Sequence, residues 1–82
     1  MNTYGIIFDA TKLDEYARGL ISGILYMATG RPKETWAWSR SQKEERWYKM
    51  CECTAEQMDD TKKEIEYMFP GSILQVENVT IE

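Results

Sequence analysis

The chain has 82 residues, of which 43% are hydrophobic and 12% aromatic, with two prolines and five glycines. Such apolar content excludes a disordered segment, and the length leads us to expect one compact domain over residues 1–82. The formal net charge of −4 disfavours broad contact with a phosphate backbone, and the lack of histidine removes the commonest acid–base group and metal ligand near neutral pH.

Residues 4–8 read as a strand. Tyr4, Ile6 and Phe8 share one face and Ile7 takes the other, and apolar groups on both faces predict a central place in a sheet. Residues 12–29 read as a long helix, with Thr11 as the expected N-cap, Gly30 as the stop and Pro32 beyond it. Projected at about 100° per residue, Leu13, Tyr16, Ala17, Leu20, Ile21, Ile24, Met27 and Ala28 fall on one side. Gly19 and Gly23 flank that stripe. Each costs roughly 1 kcal/mol relative to alanine inside a helix, so a close approach by the second helix or a partner is expected there.

Two strands follow at 35–39 and 46–53, joined by the polar stretch 40–45 as a hairpin. Trp36 and Trp38 share a face of the first. Trp47, Lys49, Cys51 and Cys53 share one face of the second, with Tyr48, Met50 and Glu52 on the other. Alternation alone leaves open which face points inward. Thr54 and Gln57 then form a capping box for a helix running to about Phe69, with Met58, Ile65, Met68 and Phe69 as its apolar stripe. Pro70, Gly71 and Ser72 turn the chain into a last strand from Ile73, with Leu74 and Val76 on one side and Asn78 marking a bulge or a turn.

The order is therefore β-α-β-β-α-β. Two helices can hide their stripes together on one face of a four-stranded antiparallel sheet. This is the ferredoxin-like α+β sandwich, with strand order 4-1-3-2 and the first and third strands in the centre. The likeness is one of topology, and that topology hosts many unrelated functions.

No set of side chains converges as catalysis would require, so we expect neither an enzyme nor a cofactor. Cys51 and Cys53 lie on the same side of a strand, too near in sequence for an easy disulfide. Their two thiolates would fill half of a soft-metal site, and with no second pair we expect small buried hydrophobes and no metal. The first residues, Met1 to Gly5, show no secretory leader pattern, and no apolar run approaches the ~20 residues of a membrane span. A reducing, cytoplasmic setting is the expectation.

For function, rings are the leading signal. Trp36, Trp38, Trp47 and Tyr48 cluster in one hairpin, and Tyr26 falls opposite the stripe of the first helix, as anchors of an interface would. Charge is the second signal. Residues 1–41 carry five basic and four acidic side chains, residues 42–82 five basic and ten acidic. Glu56, Asp59, Asp60 and Glu64 on the second helix would offer a negative surface to a basic partner. We expect a small protein-binding module, an inhibitor or adaptor such as a virus-encoded inhibitor of a host nucleic-acid-binding protein, with a protein partner or as a homodimer. One alternative is single-stranded nucleic-acid binding on the open sheet face. It would use Tyr4, Phe8, Trp47 and Tyr48 as stacking rings and Arg40, Lys43, Arg46 and Lys49 as cations, against the sign of the net charge. Another is a regulatory dimer with a small ligand at that face.

Overall fold

A computed structural model describes residues 1–29 and 38–81. Strand β1 (Asn2–Asp9) passes through a 3-10 turn (Ala10–Lys12) into helix α1 (Glu15–Thr29); β2 (Ser39–Ser41), β3 (Arg46–Cys53), α2 (Ala55–Met68) and β4 (Ile73–Asn78) follow. The sheet runs β2-β3-β1-β4 with every neighbouring pair antiparallel. Both helices cover one face, which makes the chain a ferredoxin-like sandwich as its pattern predicts. Gly30, Pro32, Trp36 and the start of the expected strand at 35–39 lie outside the described residues. The ladder of β2 lies later than expected, pairing Ser39 with Tyr48 and Ser41 with Arg46 and leaving a four-residue turn at 42–45. Glu45 closes that turn in the left-handed region with φ 52°, and its carbonyl accepts the Ala10 N–H at 2.9 Å.

Register settles which strand faces point inward. Tyr4, Ile6 and Phe8 of β1 stand opposite Cys51, Lys49 and Trp47 of β3. The buried core joins Tyr4, Ile6, Phe8, Cys51 and Cys53 to Leu13, Ala17, Ile21 and Leu25 and to Met58 and Ile65 of α2. Tyr48, Met50 and Ile7 therefore belong to the face away from the helices.

Helix α1 begins later than the expected residue 12, and Thr11 does not cap it. The Asp9 carboxylate accepts the Thr11 N–H at 3.0 Å and its hydroxyl at 2.6 Å, so Thr11 serves as a donor within the 3-10 turn. That turn drops Leu13 into the core, and the Asp14 carboxylate then accepts the Ala17 N–H at 2.8 Å as the true cap. The buried row of α1 is also narrower than expected. Tyr16 is 74% exposed and Met27 79%, while Leu25 is buried. The two exposed residues project roughly 100–120° from the centre of the row Leu13, Ala17, Ile21, Leu25, beyond what a sheet can cover. Gly19 and Gly23 lie on this outer side as well. Among the described residues a β-carbon at either would meet no atom within 4 Å outside its own helix backbone, so packing of α1 on the described elements does not account for them.

Helix α2 opens with the expected capping box: the Gln57 N–H donates to Thr54 Oγ1 at 3.1 Å and the Thr54 N–H to Gln57 Oε1 at 2.9 Å. Its buried row is Met58, Thr61 and Ile65, with Met68 turned outward. In β4 a register shift opposite Ile7 and Phe8 resets the alternation. Ile73 and Val76 pack on the core while Leu74 is exposed, so Leu74 and Val76 do not share a face. The bulge lies at that shift and not at Asn78, which ends β4 with its Oδ1 accepting the Thr80 N–H at 3.0 Å. Val79 and Thr80 continue beside β1 through bonds to Thr3 at 2.8 and 2.9 Å. Among the described residues no helix is long and apolar enough to cross a membrane.

Candidate interaction surface

Two of the expected anchors lie on the helix side of the sheet. Trp38 packs on Phe8 with ring centroids 5.2 Å apart and meets Trp47 edge-on at 6.0 Å. Its indole N–H donates to Ser22 Oγ at 2.9 Å, which fastens the hairpin to α1. The Arg18 guanidinium sits 4.1 Å from the Trp47 ring centre and Arg40 5.4 Å from it. The Lys49 ammonium lies 5.6 Å from the Trp38 ring, where burial pulls its pKa down against the opposing pull of Cys51. These contacts join α1 to the hairpin edge of the sheet.

The remaining expected residues are spread over different surfaces. Tyr48 is on the open sheet face, and its hydroxyl donates to Glu44 Oε1 at 2.9 Å, a bond that holds its pKa above the usual phenol range. Tyr26 is half exposed on the outer side of α1. Glu56, Asp59, Asp60 and Glu64 are exposed along α2, where Asp59 pairs with Lys63 at 3.1 Å. Asp60 and Glu64 also line a hollow of about 300 Å³ between the helices, opposite Ile24, Met27 and Ala28. The rings and the acidic row thus do not form one patch.

A different group of residues does meet on the open sheet face. A hollow of about 200 Å³ is lined there by Gly5, Ile7, Tyr48, Met50, Glu77 and Val79, with Ile6 and Lys49 also bordering it and the Lys49 ammonium turned to Trp38 on the helix side. Gly5 forms its floor, opposite Met50 on one side and Glu77 on the other; Ile7 stands in the same way between Tyr48 and Gln75. Val79 borders it from the segment after β4, which continues beside β1, and a β-carbon on Gly5 would lie 3.9 Å from its Cγ1. The sequence carried one sign of this hollow, a glycine in the middle of an apolar strand, which weakens a strand and marks a place of close approach.

The cysteines have a packing role. Both are free and buried. Burial pushes the Cys51 thiol up to about 12, the Cys53 charge and hydrogen bond add to the shift, and Lys49 opposes it. Burial also raises Cys53, against its hydrogen bond with Cys51. Among the described residues no three cysteine, aspartate or glutamate side chains are grouped to hold a metal ion. At pH 8 iodoacetamide is expected to leave both thiols of the native protein unmodified and to label both in urea. Equal labelling rates would contradict this burial. Between about 9 and about 12 the native Cys51 holds a proton that the unfolded chain has lost, so stability should fall as pH rises through that window.

Comparison with known proteins finds no matching family model, no similar curated protein and no similar solved structure.

Proposed function

We propose that this chain is a small protein-binding domain, an inhibitor or adaptor, that docks its partner on the open face of its sheet. The observation that carries this reading is the hollow over Gly5. One sheet face is closed by the core beneath the helices, while the other presents Ile7, Tyr48, Met50 and Val79 around an open floor. Apolar side chains around a concavity are what an interface anchor fills.

A protein partner fits this face better than a nucleic acid. Of the four rings that a base-stacking platform would use, Tyr4 and Phe8 are in the core and Trp47 packs against it, which leaves Tyr48 alone on the open face. The cations Arg18 and Arg40 lie beside Trp47 on the helix side.

The test is capture by three immobilised forms of the protein: wild type, Ile7→Lys with Met50→Glu, and Asp59→Arg with Asp60→Arg. Wild type and the α2 variant are expected to retain the same stoichiometric partner and the sheet variant to lose it, with unchanged circular dichroism in all three. Loss by the α2 variant alone would move the interface to the helix layer and overturn the reading.

A further inference from the structure

The charge of the open face restricts what can cover it. Strand alternation puts Asp9, Arg46, Glu52 and Glu77 on this side of the sheet, since Asp9 pairs with Arg46, Glu52 with Thr3 and Glu77 with Gly5. Glu44 joins them through its bond to Tyr48. Among the described residues the carboxylates on this side outnumber the cations, Arg46 and the Lys12 that neighbours Asp9, and the Arg46 guanidinium already lies 3.9 Å from Glu44. Glu77 stands directly at the hollow.

Gly5 supplies the second constraint. Its backbone lies outside the left-handed region, and an added β-carbon would make an ordinary van der Waals contact. The fold therefore has room for a side chain in the middle of its central strand, where a β-branched residue would strengthen the sheet. Glycine instead leaves an apolar floor open beneath a negative rim.

Resting on the sheet-face reading above, we infer that the occupant is a basic segment of another protein, which inserts one aliphatic side chain over Gly5 and sets flanking lysines or arginines against Glu44 and Glu77. A second copy of this chain is the wrong occupant. Two such faces in contact would set one excess of carboxylates against another, and like charges across an interface oppose association.

The probes are three synthetic peptides: Lys-Arg-Leu-Arg-Lys, the same peptide with glycine at its centre, and the charge-reversed Glu-Asp-Leu-Asp-Glu. Amide chemical shifts of the full chain report where each one binds. The basic leucine peptide is expected to shift the amides of Gly5, Ile7 and Met50, and to bind more weakly as salt is added. Replacing its leucine with glycine should weaken binding by about tenfold or more. Gly5→Val should do the same while raising the urea midpoint, which separates loss of the hollow from loss of the fold. Glu77→Lys, outside the core, should weaken the basic peptide and leave the midpoint unchanged. Equal binding of the acidic and basic peptides at this face overturns the basic partner and keeps the sheet-face site. Shifts confined to α2 overturn both. A wild-type dimer that Gly5→Val turns into a monomer assigns the face to a second copy and overturns the inference.

Discussion

Phe8→Ala is expected to remove about 3–5 kcal/mol of stability, the usual cost of deleting a fully buried aromatic ring. A domain of this length holds only about 4–12 kcal/mol in total, so the loss removes a large share of it and should lower the urea midpoint steeply. Phe8 has no exposed surface and lies on the inner face of a central strand, paired with Trp47 on one side and Ile73 on the other. Its ring also supports Trp38, which carries the hydrogen bond to Ser22. The cavity would thus open where β1, the hairpin and α1 meet, and little could collapse into it. Urea titration followed by tryptophan fluorescence measures the loss, with Ile81→Ala as the control because Ile81 is 95% exposed. A loss below about 1 kcal/mol for Phe8→Ala would place the core elsewhere.

Gly19→Ala together with Gly23→Ala is expected to act in the opposite direction. Each glycine in a helix interior costs roughly 0.8–1 kcal/mol relative to alanine, so the pair should gain about 1.5–2 kcal/mol and raise Tm by several degrees. Among the described residues nothing outside the α1 backbone lies within 4 Å of a β-carbon at either position, so no clash with them offsets the gain. Thermal unfolding by circular dichroism gives the answer. A lower Tm would mean that another surface contacts this side of α1. The same substitutions should leave partner capture intact if the open sheet face, on the opposite side of the molecule, is the binding surface.

Element order and sheet topology were readable because short-range signals agree. The alternation of Tyr4, Ile6 and Phe8, the Thr54 and Gln57 box and the Pro70–Gly71 break each mark one element, and burying two amphipathic helices leaves few arrangements. Local competition for hydrogen bonds was harder to read. Thr11 looks like a cap, yet Asp9 engages it first and Asp14, with a charged acceptor, takes the role. Helical projection placed Tyr16 and Met27 within the apolar side because it cannot tell how wide an arc the sheet will cover. The proposed docking surface was least readable. The rings are conspicuous in the sequence, but register turns Trp47 toward the helices and Trp38 packs on Phe8 beside it. The hollow depends on a missing side chain at Gly5 and on Val79 continuing beside β1 past the end of β4, and a pattern of residue types records neither.

Methionine oxidation of the captured complex tests the sheet-face assignment most directly. Met50 is exposed on the open sheet face and Met27 on the outer side of α1, so the two report separately on the two layers. Dilute peroxide should oxidise both in the free protein and spare Met50 alone in the complex. Protection of Met27 with full oxidation of Met50 would put the partner on the helices and contradict the account.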